Sequence, residues 1–276
     1  MKKNLIKVVF TDLDRTLLKN DNTLSERNLA ASHDLKEKGI VTVIATGRNI
    51  LSAKRVLSDN IPFDFLMFSS GSGIMDWQSK DVIYENHLKE NEVMKATQIL
   101  IDYNVDFMVH DLIPENHRFQ YWKVSSNNPD FERRICLYKD FVKPLQLPVQ
   151  PQKASQLLVV LPAGSDGKFN EIQKELDFVK VIRTTSPLDH SSIWLEIFPI
   201  GVSKGYSAQW LCKHLSISKE GTLSIGNDFN DIDLLNWTAQ SYVVENAPKE
   251  LKQKYQTTSS NEEDGFAEVV VCILKL

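Results

Sequence analysis

The feature that most constrains the fold is an alternation of short apolar runs with amphipathic segments in the first quarter of the chain. Ile6–Thr11, Val41–Ala45 and Phe65–Phe68 are rich in β-branched and aromatic residues, which predicts three buried strands. Leu24–Lys38 and Ile50–Leu57, which lie between them, have the pattern of helices. A strand, helix, strand, helix, strand order is typical of a parallel sheet with right-handed crossovers.

The middle of the chain differs, because residues 84–190 are richer in aromatic residues, proline and asparagine. We predict strands at Val105–Val109 and Gln156–Leu161 there, and helices at Glu92–Tyr103 and Lys168–Phe178. After Ile193–Ile197 the alternation of strands and helices resumes.

We therefore predict an α/β fold in which residues 1–83 and 191–276 form a parallel-sheet core domain. Residues 84–190 would form an inserted α+β domain. Hinges between the two are expected near Ile83–Glu85 and Ser186–Ser192.

Composition narrows the class of protein. The 276 residues are 42 % hydrophobic and 25 % charged, as in ordinary globular proteins, and the net charge of −4 offers no general attraction for nucleic acid or anionic membranes. No apolar run is long enough to cross a bilayer, and the first apolar run stops at Asp12, too early for a signal peptide. The three cysteines, Cys136, Cys212 and Cys272, are too far apart for a zinc knuckle and suggest buried thiols in a reducing compartment. We expect a cytoplasmic monomer or homodimer with no nucleic acid or membrane partner.

Two carboxylates, Asp12 and Asp14, follow the first predicted strand. Carboxylates this close repel each other unless a cation or a shared proton relieves the repulsion. Mg²⁺ prefers oxygen ligands of this kind, and one carboxylate could act as nucleophile while the other transfers protons. The alternative is a turn that caps the strand, since this short pattern is common.

Further polar residues follow other predicted strands, and the carboxyl ends of parallel strands form the ligand-binding edge of such sheets. Thr46 and Gly47 follow the second strand, where a hydroxyl and backbone amides could hold an oxyanion, although Thr46 could equally cap a helix. Lys204 begins a helix, whose amino terminus adds positive potential. Asn227, Asp228 and Asp231 follow a strand that ends in Gly226, and could complete a metal site.

Four segments in this order resemble the motifs of the haloacid dehalogenase (HAD) superfamily. They are Asp12-Leu13-Asp14-Arg15-Thr16-Leu17, Thr46-Gly47-Arg48, Lys204-Gly205 and Gly226-Asn227-Asp228-Phe229-Asn230-Asp231. The insertion between the second and third motifs resembles the cap of the Cof-type sugar-phosphatase branch, as do Val244–Pro248 and Asn261–Gly265. The resemblance implies a Rossmann-like, HAD-like core with an α/β cap.

The resemblance also implies a role for each matching residue. Asp12 would be the nucleophile that forms an aspartyl-phosphate, and Asp14 the general acid and base. Thr46, Gly47 and Lys204 would hold the phosphoryl group. Mg²⁺ would be bound by the Asp12 carboxylate, the Asp14 carbonyl and residue Asn227 or Asp228, with Asp231, Arg48 and Asn230 in support.

Three positions depart from the family pattern. Arg15 stands where glycine is usual, Asn227 where aspartate is usual, and Ser70-Gly71-Ser72 where Asn-Gly-Ala is usual. Arg15 and Ser70, at two of these departures, and Asn246, in a segment that matches the branch, are candidates for substrate contact. In the insertion, His110, His117, Arg118, Tyr121 and Arg134 could form a polar patch for a sugar or a second phosphate, or simply pack and face solvent.

The sequence thus predicts a Mg²⁺-dependent phosphatase acting on a small phosphorylated metabolite, with sugar phosphates as the expected class. Two alternatives stay open. One is a phosphomutase, which shares the nucleophile and the acid/base pair. The other is a catalytically silent phosphate-binding protein, which the departures at positions 15, 70 and 227 would explain.

Overall fold

The computed structural model describes residues 6–274, which divide into two compact units. One unit contains the chain up to Tyr84 and again from Ser203, and the other is Glu85–Val202. The strands, in chain order, are β1 (Val8–Thr11), β2 (Val41–Ala45), β3 (Phe65–Phe68), β4 (Gly73–Asp76), β5 (Val82–Glu85), β6 (Phe107–His110), β7 (Phe119–Trp122), β8 (Val142–Pro144), β9 (Leu157–Leu161), β10 (Lys180–Thr185), β11 (Ile193–Phe198), β12 (Thr222–Gly226), β13 (Gln240–Val244) and β14 (Gln256–Thr258). The helices are α1 (Glu26–Glu37), α2 (Ile50–Lys54), α3 (Glu90–Asp102), α4 (Pro129–Leu137), α5 (Asp166–Glu175), α6 (Lys204–His214), α7 (Ile232–Trp237), α8 (Lys249–Lys252) and α9 (Gly265–Leu274).

The first unit is built on an eight-stranded sheet with the order β14-β13-β12-β1-β2-β3-β4-β5. The strands from β14 to β3 run parallel, and β4 is antiparallel to β3. Val8, Phe10 and Val43 are completely buried against α6 and α7, and each such side chain contributes roughly 1.5–3 kcal/mol of hydrophobic stabilisation. The α/β fold with a parallel-sheet core is confirmed, and it brings the ends of β1, β2 and β12 to one edge.

The second unit contains a six-stranded sheet with the order β10-β11-β9-β6-β7-β8. Its strands are antiparallel except for the parallel pair β7 and β8. One sheet face packs against α3 and α5 in a core that includes Leu100, Phe107, Val159, Ile172 and Leu195. This unit therefore has its own hydrophobic core.

The second domain boundary lies closer to the C-terminus than predicted, because the first unit resumes at Ser203. Ile193–Phe198 was expected to lie in the core domain, but β11 pairs with both β9 and β10 in the inserted sheet. An apolar run of this kind fits equally well into either sheet, so its composition could not assign it. Ser186–Ser192, predicted as a hinge, is instead the turn between β10 and β11, and its ends are joined by a 2.9 Å backbone hydrogen bond from Ser186 to Ser192.

Two further predictions concern the burial of the cysteines and the presence of a membrane-spanning helix. Cys212 is buried as predicted, but Cys136 and Cys272 are exposed because they lie on the outer faces of α4 and α9. In the part of the chain that the structure describes, no helix combines the length and apolar character needed to cross a membrane.

Candidate active site

Three predicted site residues meet in a buried ion cluster. The ammonium of Lys204, at the start of α6, lies 2.7 Å from Asp12 Oδ1 and 2.6 Å from Asp231 Oδ1. Lys204 and Asp231 have no exposed surface, and Asp12 is 5 % exposed. The helix start is fixed by the Ser203 hydroxyl, which accepts a hydrogen bond from the Tyr206 amide. Residues distant in sequence are thus joined by charge-assisted hydrogen bonds.

The cluster shifts the pKa values of Asp12 and Lys204. Burial raises the pKa of Asp12 to about 7, with Lys204 opposing the shift and Asp231 and Asp14 adding to it. Burial alone would lower the pKa of Lys204, but the charges of Asp12 and Asp231 outweigh it and raise the pKa above its ordinary value. Lys204 is therefore a permanent cation beside Asp12, and two carboxylates share its charge.

Asp231 also organises the turn after β12. Its Oδ2 accepts hydrogen bonds from the backbone amides of Asn227, at 2.8 Å, and Asp228, at 3.1 Å. Gly226 makes this possible, because a Cβ at that position would lie 2.6 Å from Asp231 Oδ2. The Asp228 carboxylate caps the next turn by accepting from the Phe229 amide, whereas Asn227 and Asn230 are half-buried in the same segment. Asp231 therefore joins Lys204 to the turn that contains Asn227 and Asp228.

Asp14 is paired with Arg48, which follows β2. The Arg48 Nε lies 3.0 and 2.9 Å from the two carboxylate oxygens of Asp14, and its Nη2 lies 2.6 Å from Oδ1. The guanidinium also donates to Asn22 Oδ1 and to the Ser52 carbonyl oxygen. Arg48 therefore orients Asp14. Nothing in the sequence pointed to Asn22 or Ser52 as its further partners, because neither belongs to a motif.

Thr46 is buried, and two hydrogen bonds hold the loop that begins with it. Its hydroxyl accepts the backbone hydrogen bond of Arg48 across Gly47, and its carbonyl oxygen accepts from the Ser70 amide at 3.0 Å. Ser70 itself has a left-handed backbone, with φ of 53°, and a completely buried side chain. The backbone contact makes Ser70 a support of the Thr46 loop, whereas its predicted contact with substrate is not tested.

Arg15 and Asn246, the other candidates for substrate contact, touch each other. Arg15 has a left-handed backbone, with φ of 56°, which explains why glycine suits this position. Asn246 Nδ2 donates to the Arg15 carbonyl oxygen at 2.9 Å, and Asn246 Oδ1 accepts from the Asn261 amide at 3.0 Å. Both ends of the Asn246 amide are thus engaged by backbone groups, so it supports the loop around Asp14.

The oxygen donors near Asp12 suit a hard cation such as Mg²⁺. Within residues 6–274, no group of three or more His, Cys, Asp or Glu side chains is arranged to hold a metal ion. The predicted Mg²⁺ ligands are not such a group, because only one of them is an acidic side chain. They are the Asp12 carboxylate, the Asp14 carbonyl and the half-buried amide of Asn227. When both are ionised, the buried carboxylates of Asp12 and Asp231 carry two negative charges, against the single positive charge of Lys204. The donor set therefore fits a further cation.

The chain is similar to known proteins over most of its length. The family model of haloacid dehalogenase-like hydrolases matches residues 9–270. A putative phosphatase of Buchnera aphidicola is 26 % identical over 274 residues, covering 95 % of this chain and 94 % of its own. A Bacillus subtilis 5-amino-6-(5-phospho-D-ribitylamino)uracil phosphatase is 23 % identical over 266 residues, covering 96 % of this chain and 94 % of its own.

Solved structures extend the similarity to the fold. A HAD-superfamily phosphatase from Bacteroides thetaiotaomicron has a TM-score of 0.80 at 16 % identity, covering 100 % of this chain and 97 % of its own. A HAD subclass IIB sugar phosphatase has a TM-score of 0.74 at 20 % identity, covering 98 % of this chain and 100 % of its own. At these identities the structural matches show similarity of fold alone.

Proposed function

Because the chain belongs to the family of haloacid dehalogenase-like hydrolases, we propose that it is a Mg²⁺-dependent phosphatase that hydrolyses a small phosphate ester. The single observation that carries the proposal is the buried Asp12 carboxylate, which Lys204 holds at 2.7 Å beside the loop that contains Asp14. This pairing presents a nucleophile next to a fixed positive charge, as phosphoryl transfer requires.

The reaction proceeds in two steps. A carboxylate oxygen of Asp12 attacks phosphorus, so that an oxygen–phosphorus bond to Asp12 forms while the bond to the ester oxygen breaks, and Asp14 donates a proton to the departing alkoxide. Water then attacks phosphorus while Asp14 takes a proton from it, the bond between phosphorus and the Asp12 oxygen breaks, and inorganic phosphate leaves with the Asp12 carboxylate restored. Thr46, Gly47 and Lys204 hold the phosphoryl oxygens during both steps.

Mg²⁺, when bound, would neutralise the phosphoryl charge and make phosphorus more electrophilic. The Asp12 carboxylate, the Asp14 carbonyl and Asn227 would hold it. Asp228 is the alternative third ligand, but it already caps the Phe229 amide.

Two relatives support sugar phosphates as the substrate class. The Bacillus subtilis relative is named for a phosphorylated ribityl compound, and one structural neighbour is a sugar phosphatase. The cytoplasmic location, the small phosphorylated metabolite as partner, and the monomeric or dimeric state stay predictions from the sequence.

The test is release of inorganic phosphate from a generic ester and from a panel of phosphorylated sugars, with and without Mg²⁺. We expect release only with Mg²⁺, and none from Asp12→Asn, in which the amide is nearly isosteric but not nucleophilic. Asp34→Asn, which alters an exposed carboxylate on α1, is the matched control and should act like the wild type. Phosphate exchange between sugar positions without release would identify a phosphomutase, and neither reaction would indicate a silent phosphate-binding protein.

A further inference from the structure

Three asparagines distant in sequence donate to carbonyl groups of the loop that follows Asp14. The Nδ2 atoms of Asn246, Asn28 and Asn261 lie 2.9, 2.9 and 3.0 Å from the carbonyl oxygens of Arg15, Leu17 and Leu18, respectively. We name Asn28, Asn246 and Asn261 the asparagine cradle. Side-chain amides thus satisfy loop carbonyls that regular secondary structure leaves unpaired.

The cradle is itself anchored to the rest of the first unit. Asn28 Oδ1 accepts from the Ala267 amide at 3.1 Å, and Asn246 Oδ1 accepts from the Asn261 amide at 3.0 Å. Asn28 and Asn261 are buried, and Asn246 is half-buried. Because both ends of the Asn28 and Asn246 amides are bonded, the cradle fixes the loop relative to α1 and to the segment before α9.

Asn246 contacts a loop residue whose backbone is strained. Arg15 has φ of 56° and ψ of 22°, a left-handed conformation that is strained for a non-glycine residue. Relaxation of Arg15 toward an ordinary conformation would rotate the peptide that joins it to Thr16 relative to the peptide that joins it to Asp14. Its carbonyl oxygen, however, is tied to Asn246, and this hydrogen bond opposes the rotation.

We propose that Asn246 is a positioning residue, which holds Arg15 in the left-handed conformation and thereby sets the backbone and side chain of Asp14 for proton transfer. The catalytic part of this inference rests on the proposed phosphatase function, whereas the conformational part does not. Asn246 acts through Arg15 and touches no reacting atom in this proposal.

A double-mutant cycle with Arg15→Gly tests the proposal, because glycine adopts the left-handed conformation without strain. In the wild-type background, Asn246→Ala should lower kcat about tenfold or more and leave KM within about twofold, since substrate binding is unaffected when only proton transfer is misaligned. In the Arg15→Gly background, the same substitution should lower kcat by no more than about threefold. Asn236→Ala is the matched control, because Asn236 is exposed and its side chain accepts a hydrogen bond from the Tyr255 hydroxyl.

Amide hydrogen exchange of residues 13–18 gives a readout that needs no turnover. Exchange should accelerate in Asn246→Ala and accelerate less in the Arg15→Gly background, even if the wild type hydrolyses no phosphate ester, in which case only the proposed function fails. Equal losses of kcat in both backgrounds would indicate a merely structural role and overturn the proposal. An unchanged kcat and unchanged exchange in Asn246→Ala would overturn it as well.

Discussion

Lys204 in the parallel-sheet unit and Arg134 in the inserted unit are both cations with limited access to water, but their partners differ. Lys204 has carboxylate oxygens at 2.6 and 2.7 Å. Arg134 Cζ instead lies 4.7, 5.3 and 5.8 Å from the ring centres of Trp194, Tyr138 and Phe119, and its buried Nε has no hydrogen-bond partner among the described residues. Burial lowers the pKa of Arg134, the opposite of the shift at Lys204.

His110 extends the contrast within the inserted unit. Burial, followed by the nearby charge of Arg134, lowers the pKa of His110 to about 3. Its Nδ1 lies 2.8 Å from the Asn116 carbonyl oxygen and therefore carries the proton, which leaves the buried Nε2 as an acceptor without a partner in the described part of the chain. The site in the first unit is thus defined by mutually paired charges, whereas Arg134 and His110 are held chiefly by packing. Substitutions in the ion cluster should therefore cost far more than substitutions at Arg134.

The largest effect is expected from Lys204→Met. It leaves the buried carboxylates of Asp12 and Asp231 without their cation, which should lower the free energy of unfolding by about 3–5 kcal/mol. It should also lower kcat by at least about 10²–10³-fold, because a donor to the phosphoryl group is lost. Denaturant unfolding and initial rates measure both. Lys213→Met, which replaces an exposed lysine in the last turn of α6, is the control, and equal stabilities of the two variants would show that the ion cluster does not hold the fold.

The pH dependence of stability should come in part from His110. Between pH 6.5 and about 3 the unfolded chain binds a proton at this position and the folded chain does not, so stability falls as the pH falls through this window. The full loss is on the order of 4–5 kcal/mol, since one pKa unit corresponds to about 1.4 kcal/mol. Arg134 and His117 face the same ring and discourage its protonation.

Unfolding midpoints of His110→Phe between pH 4 and 8 test this expectation. The variant should show a shallower loss of stability below pH 6.5 than the wild type, whatever its stability at neutral pH. His33→Phe, which removes an exposed histidine from α1, should keep the wild-type slope. A His110→Phe slope equal to that of the wild type would mean that His110 becomes protonated in the folded protein.

A smaller effect is expected from Asn227→Asp, which adds a negative charge to the candidate metal site. If Asn227 is a metal ligand, Asn227→Asp should lower the Mg²⁺ concentration for half-maximal activity several-fold, because a carboxylate attracts a divalent cation more strongly than an amide does. Calorimetric titration with Mg²⁺ gives the same comparison without turnover. Asp228→Asn should change little. An unchanged requirement in Asn227→Asp together with a large increase in Asp228→Asn would place the ligand at residue 228.

The sequence predicted what depends on local pattern. β2 and β3 have the predicted bounds, and the polar residues after β1, β2 and β12 lie at the predicted strand ends, because apolar runs and the residues that end them are read locally. The position of β11 could not be predicted, since a strand buried on both faces has the same composition in either sheet. The pairing of Asp14 with Arg48 and the contacts of the asparagine cradle join residues far apart in the chain, and no spacing rule connects them.

The smallest effect is expected from Arg134→Met. The substitution keeps most of the side chain's volume against the aromatic rings, removes the unpaired buried Nε, and loses a cation–π contact worth about 0.5–2 kcal/mol. These terms oppose each other, so the free energy of unfolding should change by no more than about 1 kcal/mol. Arg133→Met, at an exposed neighbour on α4 whose guanidinium lies 4.0 Å from Asp130, is the matched control and should change it by a similar amount. A loss of about 3 kcal/mol or more in Arg134→Met alone would show that Arg134 stabilises the fold as much as Lys204 does. The difference between the two cations argued above would then be wrong.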